Sequence, residues 1–262
     1  MPTQQPSGLD GTGVLAIWSD AVPEHEPEFN DWYTSQHLPE RVGVPGFRRG
    51  RRYVKDTPGE LRYFTLYECA TIEVLASAPY LERLNNPTDW TRRAMPFFRN
   101  GSRAAMVVAS SAGAGIGGLA ATIQFTPAAD RAADLQSWIA ATGRTLRESH
   151  PALTGWHLCQ SDDAVTRAKA GTEEARASRR PVAPAHPASP AAPAHPASPA
   201  APASSPAPRW LLMAEATDRV PLDAAAELLA GDTGLSGQGA TGLTAFHVYR
   251  LMIALTHAPG PE

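Results

Sequence analysis

DWYTSQHLPERVGVPGFRRGRRY, residues 31–53, decides how this chain is read. Taken as a helix, it places Phe29, Trp32/Tyr33, Gln36/His37 and Glu40 on one face at i+3/i+4 spacing. The stripe begins aromatic and grows polar toward its C-terminal end. Buried polar groups need partners, so that end is expected to border a cavity or a hydrogen-bond network. Pro45-Gly46-Phe47 then opens a strand in which Phe47, Arg49, Arg51 and Tyr53 alternate with Arg48, Gly50 and Arg52. Charges on both faces cannot all be buried, so at least one set faces solvent or pairs with acids such as Glu40 or Glu68.

Working outward, a shift of 106 residues maps the first half faintly onto the second. Residues 14–19 (VLAIWS) and 120–125 (AATIQF) both read as strands. Glu28, Phe29 and Trp32 then recur as Asp134, Leu135 and Trp138. Pro45-Gly46-Phe47 has its counterpart in Thr154-Gly155-Trp156. The third strands, 61–68 and 210–215, end in Glu68 and Glu215, and each is followed by a Thr, Thr71 or Thr217, where a helix cap fits. Apolar strands at 103–109 and 243–253 finish the halves.

Each half therefore reads strand–helix–strand–strand–helix–strand, the ferredoxin-like order. Such a sheet leaves one apolar face open. The expected fold is α+β: two ferredoxin-like repeats packed against each other as an intramolecular, pseudo-dimeric α/β barrel. The expected boundaries are a flexible N-terminus at 1–13, the first repeat at 14–110, a Gly-rich linker at 111–118, the second repeat at 119–255 and a flexible C-terminus at 256–262. A Pro/Ala-rich disordered insertion at 165–208 interrupts the second repeat. It carries the nonapeptide APAHPASPA twice, with prolines every third residue as in polyproline II.

The chain has 262 residues, a formal net charge of −3 and 43% hydrophobic residues, enough apolar content to bury a core. This near-neutral balance gives no electrostatic case for nucleic acid or an anionic membrane. Cys69 and Cys159 form no CxxC pair, and the spacings HxxxH, HxH and HExxH are absent, so no metal site is expected. The N-terminus lacks the pattern of a signal peptide, and the uncharged stretch 104–129 is interrupted by Gly113, Gly115, Gly117 and Gly118. A cytoplasmic protein is expected. The same glycines match GxGxxG, but a strand rather than a helix follows, so they read as a linker and not a dinucleotide site.

The pattern in residues 31–53 resembles dimeric α/β-barrel proteins, close to the EthD-like group, which share a Trp-Tyr, His-Leu-Pro, Pro-Gly-Phe, Arg-Arg-Tyr run. The resemblance implies the barrel fold and a superfamily of heme enzymes, cofactor-free monooxygenases, isomerases and cyclases. It also implies that a helix-borne histidine bordering the pocket serves as acid or base, which here is His37.

His37 suits proton transfer because imidazole titrates near neutrality. At its repeat counterpart stands Gly143, and at that of Tyr33 stands Ile139, so one active pocket is expected, in the first half. His37 and Tyr33 are the candidate catalytic residues. Trp32, Tyr63, Tyr67, Arg49 and Arg51 are the candidate substrate contacts, with Tyr63, Thr65 and Tyr67 expected to face the barrel interior. The expected function is cofactor-independent acid–base chemistry of isomerase, cyclase, dehydratase or monooxygenase type on an aromatic or oxygenated metabolite. A non-catalytic ligand-binding or accessory protein is the alternative. No cofactor is expected, although heme, which needs only one axial histidine, stays open. The expected partner is a small-molecule ligand, and further homo-oligomer formation is left open.

Overall fold

A computed structural model describes residues 8–55, 60–182 and 210–257. Nine strands appear in order: β1 Gly13–Ala21, β2 Phe47–Val54, β3 Tyr63–Cys69, β4 Phe98–Gly113, β5 Leu119–Pro127, β6 Leu153–Ser161, β7 Trp210–Ala216, β8 Ala240–Thr241 and β9 His247–Thr256. The strands pair antiparallel in the order β7-β6-β4-β1-β3-β2-β9-β5, and β5 pairs back onto β7. Eight strands thus close into a barrel, which leaves no exposed edge. Within it β4-β1-β3-β2 and β9-β5-β7-β6 share one relative order, and β4–β6 and β2–β9 form the two seams.

Helices cover the outside. Against the first four strands lie α1 (Glu26–Trp32), a π-helical turn at Tyr33–His37, α2 (Leu38–Val42), α3 (Ala78–Asn85) and α4 (Asp89–Ala94). Against the others lie α5 (Ala132–Ser149) and α8 (Val220–Ala230). The π turn has a covalent cause. Pro39 has no N–H and its ring crowds the preceding turn, so the ladder loosens there. The Leu38 N–H reaches back five residues, to the Tyr33 carbonyl.

Two-residue periodicity sorts the strand residues between barrel interior and helix layer. Phe64 and Leu66 point inward, where they meet Trp18, Tyr53, Met213 and Tyr249. Tyr63 and Tyr67 pack instead against Phe29, Trp32 and Tyr33 of the helix layer. The Tyr63–Thr65–Tyr67 face therefore looks at the helices and not into the barrel, contrary to the sequence expectation. A second correction concerns β2. A register shift between Phe47 and Arg49 puts Phe47 with the helix layer while Arg51 and Tyr53 face inward. One bulged residue reverses side-chain facing for everything before it.

Ionic groups cross the interior. Arg51, wholly buried, bridges Glu68 (Nε to Oε1 2.8 Å) and Glu215 (Nη1 to Oε1 2.5 Å). Glu68 also binds Arg49 (2.6 Å) and accepts from the Asp10 amide (2.6 Å). Glu215 accepts from His157 Nε2 at 3.1 Å, and His157 Nδ1 lies 2.9 Å from Ser111 Oγ. The two equivalent glutamates, one from each half, thus share one guanidinium across the barrel.

The boundaries differ from expectation in two places. β4 continues to Gly113, which pairs with Gly155, so the junction between halves shortens to 114–118. Residues 165–182, expected to be disordered, are folded: α6 (Asp163–Arg167) and α7 (Glu173–Ala177) form a strap lying over α3, α4 and β4. The strap is tied by Asp162 N–H to the Ala105 carbonyl (2.9 Å) and by Arg103 Nη1 to the Thr166 carbonyl (3.0 Å). The nonapeptide repeats lie outside the described residues. No described helix is long and apolar enough to cross a membrane.

Replacing Arg51 with Met should cost about 3–5 kcal/mol, because it leaves carboxylates buried with too little positive charge. Urea unfolding monitored by tryptophan fluorescence checks this; a loss below about 1 kcal/mol would show that the interior ion network contributes little.

Candidate functional site

The π turn brings Tyr33 and His37 together under the helix, facing the sheet. Their rings meet edge-on at 4.9 Å between centroids, and the other face of His37 meets Trp32 at 4.3 Å. Trp32 is fixed from behind by its indole N–H, which donates to Thr91 Oγ1 at 3.2 Å. Tyr67 rises from β3 and donates to the Tyr33 hydroxyl at 3.5 Å. His37 retains 4% of its surface, and its Nδ1 has no hydrogen-bond partner among the described residues.

Cations surround this ring. Arg52 comes from β2 and is wholly buried. Its guanidinium lies 4.2 Å from the Tyr33 ring centre, 4.3 Å from that of Tyr63 and 5.2 Å from that of Phe29. None of its three nitrogens has a hydrogen-bond partner among the described residues. Aromatic faces attract a guanidinium, but they do not replace the solvation that an anion or water would give it. Arg41, 2% exposed, uses Nη2 to pair with Glu174 of the strap, while its Nη1 stays unpartnered. Lys169 Nζ binds the other Glu174 oxygen at 2.8 Å.

This setting fixes protonation. Burial holds the His37 pKa well below its ordinary value, and the charges of Arg41, Lys169 and Arg52 push the same way. His37 is therefore a neutral imidazole whose Nδ1 is left without a partner among the described residues. Burial likewise lifts the Tyr67 hydroxyl well above the usual tyrosine range, with the Tyr33 oxygen adding to it. It keeps Tyr67 protonated, as a donor. Lys169 is pulled well below the usual lysine range by burial, then by Arg103 and Arg41.

Of the residues expected from sequence, the structure groups His37, Tyr33, Trp32, Tyr67 and Tyr63 on the helix-facing side of the sheet. It does not bring Arg49 or Arg51 there. Both face the barrel interior, paired with Glu68 and, for Arg51, Glu215. Sequence reasoning passed over Arg52, Arg41, Lys169 and Glu174. Two signals existed: Arg52 alternates with Gly50, which packs against Leu38 and Val42 of the helix, and Lys169 is one of two lysines in a chain with 23 basic residues.

The second half has no counterpart of this histidine. Gly143 stands at the place of His37, and a Cβ there would lie 2.2 Å from the Trp156 ring. The Trp156 indole fills the space and donates to the Ile139 carbonyl at 2.9 Å.

No family profile matches the chain, and no curated protein sequence does. Solved structures match along nearly the whole chain. An anthrone oxidase-like protein superposes with a TM-score of 0.57 at 9% identity, over 97% of this chain and 96% of the other. A candidate monooxygenase from Fusobacterium nucleatum gives 0.56 at 7%, over 95% and 96%. A candidate chlorite dismutase gives 0.50 at 9%, over 93% and 96%. The chain shares the fold of these α+β barrel proteins; at such identity the likeness carries architecture alone.

Heme, left open by the sequence, can be tested against the packing here. An axial histidine needs a flat cavity beside its free nitrogen. The His37 ring is instead packed by Trp32 and Tyr33 and surrounded by cations, and both ring nitrogens of the buried His157 are already bonded. Neither of these two histidines fits as a heme axial ligand, and no step is derived through heme.

Because the folded-state pKa of His37 lies below its unfolded value, its contribution to stability is complete above about pH 6.5 and is lost as pH falls toward the folded pKa. The His37→Gln variant should therefore lose less stability than the parent between about pH 7 and about pH 5, measured as urea midpoints. Parallel pH profiles for the two proteins would contradict the assignment.

Proposed function

We propose that this chain is a small-molecule enzyme of the α+β barrel type whose single site, between the first-half sheet and its helices, performs cofactor-independent acid–base chemistry on an oxygenated aromatic metabolite. One observation carries the reading: a neutral, buried His37 with an unpartnered nitrogen sits beside an unpartnered buried cation, Arg52. A base next to an unsatisfied cation suits removal of a proton from a group whose conjugate base is an oxyanion.

In the proposed step, a C–H or phenolic O–H proton of the substrate passes to His37. The electron pair left behind delocalises onto the substrate oxygen. Arg52 meets the resulting charge, and the Tyr67–Tyr33 hydroxyl pair supplies a hydrogen-bond donor. Water exclusion strengthens each of these interactions. Trp32, Phe29 and Tyr63 wall the aromatic body of the substrate. Such an anion is also the species that reacts with dioxygen without a cofactor, consistent with the anthrone oxidase-like and monooxygenase relatives in fold. Entry requires a movement that uncovers His37, which is 4% exposed, and the 162–182 strap, whose Lys169 acts on it, is the segment assigned that motion. A surface hollow lined by Gly43, Pro45, Pro79, Glu82 and Asn86 contains none of these groups.

The same proposal covers architecture. The matching strand orders of the halves support a tandem repeat folded as an intramolecular pseudo-dimer, and the pattern of residues 31–53 supports the EthD-like reading of its first copy.

Anthrone is the chosen probe. Its methylene deuterium exchange and oxygen uptake should fall about 100-fold or more in His37→Ala, with circular dichroism unchanged. The acid limb of kcat/KM should lie below about pH 6.5, the side to which the His37 pKa is shifted. Turnover within about threefold of the parent would end the catalytic reading. Retained ligand binding without turnover in the parent would favour a binding protein instead.

A further inference from the structure

The strap raises a question of its own. It leaves the second half after β6 and folds over the helices of the first half, where Glu174 is buried to 1% exposure. A fully buried carboxylate on a short surface segment is costly unless cations hold it. Here they do, one on each oxygen: Arg41 Nη2 on Oε2 and Lys169 Nζ on Oε1, the latter at 2.8 Å. Two donors from different elements converging on both oxygens is the geometry by which proteins bind a free carboxylate.

The charges do not balance. Arg41, Lys169 and Arg52 all act on His37, yet Glu174 is the carboxylate that pairs with the first two, and Arg52 has no hydrogen-bonded anion among the described residues. One Arg41 nitrogen is unpartnered as well. The two buried arginines of the cluster therefore keep guanidinium nitrogens that the described residues do not satisfy. Within it, Arg52 lies against the rings of Phe29, Tyr33 and Tyr63, and this aromatic surround is matched to a flat, apolar ligand body.

We propose that Arg41, with Lys169 beside the tethered start of the strap, forms the carboxylate subsite of the active pocket, that Glu174 fills it as an internal stand-in, and that the substrate is an aromatic carboxylate which enters by displacing Glu174 as the α7 end of the strap lifts. This rests on the pocket assigned above and names the class of its substrate. The tethers suit such a motion. At its start the strap is held to the barrel by Asp162 and Thr166, with the Ala105 N–H donating to Thr166 Oγ1 at 2.9 Å. Over α3 it is held by Glu173 N–H to Asn85 Oδ1 at 3.3 Å. A tethered carboxylate competes with a free one at a high effective concentration, so the parent protein should bind simple carboxylates weakly. Removing the competitor should unmask the subsite.

The test uses the full chain and sodium benzoate, with benzamide as the neutral control of the same shape, followed by calorimetry and thermal shift at constant ionic strength. Glu174→Gln should bind benzoate about tenfold or more tightly than the parent, and benzamide should show no such gain. Adding Arg41→Gln should abolish the gain. Glu174→Asp keeps the charge on a shorter arm and covers a failure of Glu174→Gln to fold; it should gain about threefold. Unchanged benzoate affinity in whichever of these variants folds, or an equal gain for benzamide, overturns the proposal. Failure of both to fold, with no benzoate-dependent recovery of folded protein, also overturns it, because the carboxylate would then be structural. His37→Ala reports on acid–base turnover alone, so the subsite and the chemistry can fail separately.

Discussion

A guanidinium buried without an anion is the constraint on which the first half of this molecule turns. Arg52 sits among three aromatic rings with every nitrogen unpartnered among the described residues. Left so, it costs the fold several kcal/mol. The neighbouring chemistry follows from its presence. It helps keep His37 neutral, in the proposed step it meets the developing oxyanion, and with Arg41 and Lys169 it adds positive charge that the strap offsets only in part. Natural folds keep such imbalance where binding relieves it.

The two halves show what happens when that demand is absent. They share a strand order, and their third strands end in glutamates bound by one arginine, Arg51. That shared pairing belongs to the barrel and not to a site. Where the first half has a π turn carrying His37, the second has an unbroken α5 with Gly143, and Trp156 occupies the vacated volume. Pro39 is the local difference in the first half. By removing one amide it loosens the helix where Tyr33 and His37 must both face the sheet.

Much of the architecture was legible because it is written in periodicity. The aromatic-to-polar stripe of residues 29–40 and the Pro-Gly-Phe strand opening correspond to observed elements, and β1 and β5 start 106 residues apart. The core of the candidate site, His37 with Tyr33 and Trp32, was legible for the same reason. The facing of β2 was not legible: the bulge after Phe47 breaks alternation, so Arg49 and Arg51 turn inward while Phe47 and Arg52 lie on the helix side. The tyrosines of β3 were assigned to the wrong face because Phe64 and Leu66 were taken to serve the helices. The barrel interior of a closed sheet is as apolar as its helix-facing side, so polarity alone could not choose. The strap was missed because α6 and α7 are short and flank a low-complexity run; they are held by ion pairs and caps, which leave no hydrophobic period to read.

The most direct measurement of the central claim is the charge of one ring. Nitrogen-15 resonances of His37, followed from about pH 8 to about pH 5, report its protonation inside the intact protein. A buried site with surplus positive charge predicts that the ring remains neutral through and below about pH 6.5, while an exposed histidine such as one in a loop becomes charged. An imidazolium signal from His37 at or above that pH would mean that the surrounding charge is balanced after all, and the account of the site would fail.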